Sequence, residues 1–488
     1  VPPTLLRRPL AVAPDPAVVF EALARGAENA FWLDSGPRAA SGRSYLGVPA
    51  SVHRCGDWSE LYEVLQDAGT VDLSPPGSAD AGAGPRFRLG WVGWLAYELG
   101  MPDAPQPTDL RADAAVLLRV DEAVEFDHDT GSVTLLALDS PTAADWLTRT
   151  AATLEALAHG VGAARRAAAA HPATADPAAD PDPAVDPAAL EARPRHDYAA
   201  YATLVESCKA TIARGDAYQL CLTNEFTVDV HPDPLDTYLA LRSASPSHHG
   251  GYLKAGGTAL LSSSPEQFLA VTHDGRVRSK PIKGTRRRGA GPIDDALLVR
   301  ELAASQKERA ENLMIVDLVR NDLSKVCELG SVTVPTLLEV ETYPQVHQLV
   351  STVEGRLAEG RVGLDAVAAC FPAGSMTGAP KRSAVQTLAA LESGPRGIYS
   401  GAFGYFSRDG ALDLAMVIRS IVLDDRGATV GAGGGITALS EAGDEVEETR
   451  VKAAVLLSVL GAASAAPTSR AAPARPTASA APREHAKL

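Results

Sequence analysis

Lys283 stands in "SKPIKGTRRRG" (279–289), between an apolar approach and a Gly-Thr turn, with three arginines behind it. At the reference lysine pKa of about 10.4, roughly one side chain in a thousand is neutral near pH 7.4. Nearby Arg286, Arg287 and Arg288, partial burial, or a metal ion would each favour the free amine, which can attack carbon. The competing reading is a lysine that binds an anion. Two acidic patterns, Glu308-x-x-Glu311 and Glu445-x-x-Glu448, recur in helical sequence. Positions i and i+3 share a helix face, so each supplies a pair of carboxylates, either solvated or turned into a cleft. Glu311 runs directly into the apolar "NLMIVDLV", which favours the cleft. Converging carboxylates repel one another and call for a cation, and Mg2+ binds through a few carboxylates, retained waters and a substrate oxygen.

Two glycine-containing stretches offer backbone donors. "GSMTGAPKRS" (374–383) lacks the GxxxxGK[ST] spacing of a phosphate loop. It reads as a turn leading into a helix, with backbone and hydroxyl groups able to meet an anionic oxygen. "TVGAGGGITA" (429–438) does not open a helix as a dinucleotide fingerprint would, so it reads as backbone that a carboxylate can approach closely. Arg419 in "MVIRSIV" alternates as a strand residue and could clamp a carboxylate, or simply face solvent.

These residues need elements to hold them. "EQFLAVTHDGRVRSKPI" (266–282) predicts a hairpin turning at Asp274-Gly275. Residues 293–326 predict one or two helices, 412–436 strand, turn and strand, and 441–460 a helix. Upstream, "RFRLGWVGWLAYELG" (86–100) is strand-like, and 115–138 predicts two strands joined at "DHDTGS". Hairpins mixed with separate helices indicate an α+β fold with largely antiparallel sheet. Four segments result: an N-terminal α+β region (1–160), an Ala/Pro-rich linker expected to be disordered (161–195), a catalytic domain (196–460) and a disordered tail (461–488).

Composition narrows the function. With 488 residues, 45% of them hydrophobic, the chain has ample material for a core. A net charge of −15 argues against a nucleic-acid binder. Five scattered cysteines without a CxxC pair read as reduced, buried thiols, and none lies in the G-x-C-x-G elbow of a glutaminase. No apolar run is long enough for a membrane span and no signal segment is visible, so a cytoplasmic location is expected.

The order of "SSSPEQF", "PIKGT", "AENLMIVDLVRNDL", "VHQLVSTVEG", "GSMTGAPK", "YSGAFGY", "GGGI" and "DEVEETRVKA" resembles that of the chorismate-utilising enzymes over about residues 196–460. "RLGWVGWLAYELG" is more weakly similar to the N-terminal part of the amino-transferring members. The resemblance implies two antiparallel β-sheets in a sandwich flanked by helices, and a Mg2+-dependent site. Gln219, where the water-adding members carry a lysine base, implies ammonia as nucleophile. "PIKGT" and Asn312 imply the aminodeoxychorismate-forming branch over the anthranilate-forming one, which reads "PIAGT" and usually has histidine at the Asn312 position.

The roles so implied are specific. Glu311 and Glu448 hold Mg2+ on the ring carboxylate of chorismate, supported by Glu308 and Glu445. Tyr399, Arg419, Gly433, Gly434, Gly435 and Lys452 bind carboxylates, and Thr377 lines the pocket. Lys283 attacks C2, Glu266 protonates the departing C4 hydroxyl near His347, and ammonia from a separate glutamine amidotransferase subunit adds at C4. The product is 4-amino-4-deoxychorismate, on the way to 4-aminobenzoate, with folate and a specialised aromatic antibiotic both open as the end point. The alternatives are an anthranilate-forming enzyme and a non-catalytic scaffold that binds only the amidotransferase. The tryptophan-sensing motif of the anthranilate-forming members matches poorly, and no regulatory site is carried over.

Overall fold

The computed structural model describes residues 3–67, 84–101, 113–169, 190–343 and 346–464. β-branched and aromatic runs punctuated by glycine turns build two large, largely antiparallel sheets. The first runs from Leu5–Leu10 through Ser132–Leu138, Glu122–Asp127, Arg43–Gly47 and Asn29–Asp34. It continues through His249–Ala255, Thr258–Ser264, Ser420–Asp424 and Gly427–Ile436 to Gln219–Val228. The second runs from Ile282–Arg287 through Val346–Arg356, Arg276–Ser279, Gln267–Val271, Leu412–Met416 and Ala402–Ser407. It ends with Gly90–Leu95, Ala115–Val120 and Ser51–Cys55.

The sheets face one another across a core that mixes Phe31, Leu253 and Leu260 of the first with Trp94, Leu118 and Phe403 of the second. Gly251 permits the close approach: a Cβ there would lie 2.3 Å from the Phe403 ring. Helices cover the outer faces, Ala442–Val459 packing against the first sheet and Gln306–Leu323 against the second. The architecture is α+β.

The predicted hairpin forms between Gln267–Val271 and Arg276–Ser279, with Gly275 at φ +80°. Residues 293–326 form two helices, Pro292–Ala304 and Gln306–Leu323, broken at Ser305, whose side chain caps the second by accepting from the Glu308 amide. Residues 115–138 hold three strands instead of two, because Ala115–Val120 joins the second sheet before the chain crosses to the first at Asp121. Residues 412–436 also hold three, with a like crossing at 417–419. Apolar alternation alone carries no mark of such a crossing, since both sheets bury the same pattern.

The segment 161–195 is shorter as a connector than its composition suggests. Helix Ala143–Ala169 continues into it and strand Leu190–Pro194 ends it, paired with Gln219–Val228. Its residues 170–189 lie outside those described. Ala462–Ser464 pairs with Leu190–Pro194, and the tail from 465 onward lies outside the described residues. The N-terminal strands share both sheets with the rest of the chain, so residues 1–160 and 196–460 build one sandwich. Among the described residues no helix is long and apolar enough to cross a membrane.

Candidate active site

The lysine strand, Ile282–Arg287, pairs with Val346–Arg356, and its register slips between Ile282 and Thr285. A slip of this kind re-aims the side chain at the irregularity, here Lys283. Gly284 makes it feasible: its φ is +87°, and a Cβ there would lie 2.9 Å from the Glu308 carboxyl carbon. Lys283 enters a cavity of about 400 Å3 between the sheets, within the size range of small-molecule sites.

Two more charged groups reach the cavity from the points where the chain changes sheet. Glu266 follows Thr258–Ser264 and precedes Gln267–Val271. Arg419 lies between Leu412–Met416 and Ser420–Asp424, in the left-handed region at φ +50°. It is thus outside the strand that its alternation predicted, and its strained backbone belongs to the crossing. Burial pushes the Glu266 carboxyl above its ordinary range, against the opposing pull of Lys283, a hydrogen bond from Ser375, and Arg419. Desolvation at the cavity wall lowers the Arg419 pKa although the residue keeps solvent exposure, and Glu266 partly offsets it.

The acidic pairs arrive on two helix starts. Glu308 and Glu311 lie in the early turns of Gln306–Leu323, Glu445 and Glu448 in those of Ala442–Val459, where the helix dipole favours negative charge. Glu308, Glu311 and Glu448 line the cavity; Glu445 stands just behind it. Burial raises the pKa of Glu311 and of Glu445. At Glu448 burial pushes the same way but is outweighed by Lys452, Lys307 and Lys283, so its pKa falls. Glu445 accepts a 2.7 Å hydrogen bond from Ser440 on Oε1, while its buried Oε2 has no partner among the described residues.

Opposite these helices lies the glycine strand, Gly427–Ile436. It pairs with Gln219–Val228 along its length, but Ser420–Asp424 covers its other edge only as far as Val430. The backbone from Gly431 to Gly434 therefore has no strand partner on that edge among the described residues, and it lines the cavity. A Cβ on Gly434 would lie 2.7 Å from Glu445 Oε2, and one on Gly431 would lie 2.2 Å from the Tyr399 ring. Lys452 Nζ donates to Gly433 O at 2.8 Å and to Glu448 Oε1 at 2.6 Å.

Of the predicted residues, Lys283, Glu266, Glu308, Glu311, Glu448, Tyr399, Arg419, Gly433, Gly434 and Lys452 line this one cavity. Five do not. Gln219 is buried behind the glycine strand, where a Cβ on Gly435 would lie 2.1 Å from its Nε2; its Oε1 has no partner among the described residues. Gly435 and Glu445 stand with it one layer back. Thr377 is fully buried, its hydroxyl donating to Ala373 O and its carbonyl accepting from the Cys221 amide. His347 is buried with Nδ1 on Thr342 and Nε2 on Asp295, both at 2.9 Å. Strand alternation sends its neighbour Gln348 into the cavity instead, with an Oε1 that has no partner among the described residues. That period of two was the available signal for choosing between "HQ" positions. Cys221, Thr285 and Ser375, also on the wall, carried no signal of their own.

The three arginines do not press on Lys283. Arg286 pairs with Glu301 at 2.9 Å, Arg287 with Asp294 at 3.5 Å and Arg288 with Asp295 at 2.8 Å, all acids of helix Pro292–Ala304. They fasten that helix to the lysine strand, and Arg288 holds the Asp295 carboxyl well below the usual range. Burial alone would lower the Lys283 pKa, but the Cys221 sulfur and the carboxylates of Glu311, Glu266 and Glu448 more than offset it. The amine is held as an ammonium, contrary to the expectation of a depressed pKa.

The cavity brings the carboxylates of Glu266, Glu308, Glu311 and Glu448 together with the cations of Lys283, Arg419 and Lys452 along a glycine-rich wall, an arrangement that can take an anion at its cationic groups once a metal ion screens the acids. The chain belongs to the chorismate binding enzyme family, whose model matches residues 34–458. Aminodeoxychorismate synthase from Streptomyces pristinaespiralis is 43% identical over 493 residues, covering 95% of this chain and 66% of its own length. Anthranilate synthase component 1 from Mycobacterium tuberculosis is 35% identical over 498 residues, covering 94% and 92% respectively. The crystal structure of anthranilate synthase component I from Streptococcus pneumoniae TIGR4 shares the fold with a TM-score of 0.64 at 25% identity, over 94% of this chain and 93% of that one. The chain thus spans 66% of the length of the Streptomyces aminodeoxychorismate synthase.

Proposed function

We propose that the chain converts chorismate and ammonia to 4-amino-4-deoxychorismate through a covalent Lys283 adduct, en route to 4-aminobenzoate. The observation that carries this reading is the enclosure of Lys283 and Glu266 in one cavity, where each is an oppositely charged neighbour of the other. Burial disfavours the ion pair they would form, so shifting one proton from Lys283 to Glu266 leaves the net charge unchanged and creates a neutral amine beside a carboxylic acid. The amine attacks C2, both conjugated ring double bonds shift by one position so that the electron pair reaches C4, and the C4 hydroxyl leaves as water with the proton of Glu266. Ammonia then forms the C4–N bond as the C2–Lys283 bond breaks, and the excess proton of the new amine returns to Glu266. Proton transfer of this kind typically contributes ~10²–10⁴-fold.

Mg2+ fits the donor set, although no group of three or more His, Cys, Asp or Glu side chains closes into a metal site by itself among the described residues. Mg2+ needs only one or two protein carboxylates, and Glu445 Oε2, without a partner among the described residues, and the side-chain-free Gly434 leave capacity beside Glu448. Glu311 and Glu448 would hold it, backed by Glu308 and Glu445, and it would supply positive charge for the substrate's ring carboxylate. Arg419, Lys452, Tyr399 and the Gly433–Gly434 backbone hold the remaining carboxylate. All five cysteines are buried and none sits in a glutaminase elbow, so ammonia comes from outside these 488 residues, in our reading from a glutamine amidotransferase subunit.

Incubation with chorismate, Mg2+ and ammonium, followed by mass spectrometry, tests the reading. Aminodeoxychorismate is the expected product; anthranilate fluorescence without an added lyase would assign the chain to the pyruvate-releasing branch. Complete inactivity would favour the scaffold.

A further inference from the structure

Asn312 does not line the catalytic cavity. It is fully buried on the face of helix Gln306–Leu323 that carries Ile315, Val316 and Val319. A buried amide among apolar side chains is costly unless its polar atoms find partners, and both ends of this one do. Nδ2 donates to Pro281 O and to Leu349 O, each at 3.4 Å, and Oδ1 accepts from the Ser351 hydroxyl at 2.5 Å. The amide can face only this way. Ser351 Oγ already accepts from the Leu338 amide at 2.9 Å, so its one proton goes to Oδ1, and the two carbonyls can only accept. Each bonded group adjoins the cavity wall: Glu311 precedes Asn312, Gln348 precedes Leu349, and Pro281 stands two residues before Lys283. Pro281 also lies just before the slip in the lysine strand. Ser279 pairs with Val353 and Ile282 with Val350 in one register, which is lost by Thr285. Proline brings no N–H to the ladder, and its carbonyl takes two donors, the Ser351 amide at 3.2 Å and Asn312 Nδ2. Beyond the slip, Arg286 and Arg287 tie the strand to helix Pro292–Ala304. Lys283 is thus held between two anchored points.

We infer that Asn312 is a positioning residue for the attack by Lys283: with Ser351 it anchors the near end of the slip and so fixes the amine relative to the carboxylates of its own helix. The inference rests on the covalent chemistry proposed above and adds what keeps the nucleophile in register. Asn312 touches no reacting atom and acts through Pro281. Asparagine suits the place because one short side chain offers two donors and an acceptor; leucine, of similar size, offers neither, and an ionised aspartate only acceptors. Without the clamp the irregular stretch keeps one fixed end, and a misplacement of about 1 Å can cost about 10²-fold in rate.

Asn312→Leu and Ser351→Ala in the full chain test this through two readouts. One is the rate at which the Lys283 adduct forms from chorismate and Mg2+ without ammonia, followed by quenching and mass spectrometry. The other is Mg2+ binding alone, by calorimetry with no substrate present. Asn312→Leu slows the adduct about tenfold or more per folded molecule, while the Mg2+ Kd stays within about threefold. Ser351→Ala slows it about threefold or more, and the double variant is no slower than Asn312→Leu, as expected of two members of one network. An unchanged adduct rate in folded Asn312→Leu overturns the positioning role and leaves the covalent chemistry intact. Equal losses of adduct rate and Mg2+ affinity also overturn it, since Asn312 would then support the whole site and not the lysine strand. Should Asn312→Leu fail to fold, Ser351→Ala decides by the same two readouts. Should the unsubstituted chain form no adduct, the covalent chemistry fails and the positioning with it.

Discussion

Lys283 and Gln348 show how a single residue is placed by its neighbours. The lysine is aimed by a register slip and a left-handed glycine; the glutamine owes its position to strand alternation, which turns His347 away. "PIKGT" made the lysine legible because the chemistry and the glycine stand together in five letters. "VHQLVS" misled because a histidine draws the eye to the wrong parity. His347→Gln is expected to cost stability, about 1–3 kcal/mol from unsettling Thr342 and Asp295, with kcat of the folded fraction within about twofold. Gln348→Ala should lower kcat/KM about tenfold or more with an unchanged melt, as expected when a hydrogen-bonding group facing substrate is removed. Steady-state kinetics beside thermal melts separates the two, and the opposite pattern would return His347 to the site. The arginines that made Lys283 look electrostatically poised are spent on Glu301, Asp294 and Asp295, a pairing that spacing cannot disclose because those acids lie on the next helix.

At the scale of elements, the site is made where regular structure stops. Glu266 and Arg419 sit at crossings between sheets, the carboxylate pairs at helix starts, and the cavity-lining Gly431–Gly434 edge where Ser420–Asp424 ends. Helix and hairpin signals were legible in local periodicity; the crossings were not, because they depend on which sheet receives each strand. Gly284→Ala tests the slip directly. It forces a side chain into a left-handed conformation against Glu308 and Leu302, at a cost of about 1–2 kcal/mol. A lowered melting temperature and at least a tenfold fall in kcat are expected; full activity would show that Lys283 is aimed by something else.

The whole molecule binds the N-terminal third to the site. Arg396 donates to the carbonyls of Met376 and Cys221 on the cavity wall, pairs with Glu392 at 2.7 Å, and lies over the Tyr97 ring, while Glu98 accepts from the amides of Arg396 and Gly397. Composition marked the N-terminal region as folded but could not reveal this bracing, whose partners lie some 300 residues apart. The sandwich also carries a pH-sensitive group. Asp413 is partly buried, and that burial raises its pKa from 3.8 to about 6 despite a 2.8 Å hydrogen bond from Gln267. Because the folded-state value exceeds the unfolded one, the protonated form is favoured by folding, and stability falls as pH rises from about 4 through 6, by roughly 3 kcal/mol. Asp413→Asn keeps an acceptor for Gln267 without the charge. It should raise the melting temperature at pH 7.5 and leave it nearly unchanged at pH 4; equal effects at both would assign the gain to packing.

The proposed chemistry turns on a covalent bond between Lys283 and chorismate. Incubating the protein with chorismate and Mg2+ but no ammonia, then quenching and measuring peptide masses, tests it most directly. The expected result is an increment of chorismate less one water on the peptide containing Lys283, absent in Lys283→Ala and discharged by ammonium. Amination proceeding at the normal rate in Lys283→Ala, or an adduct on any other side chain, would contradict it.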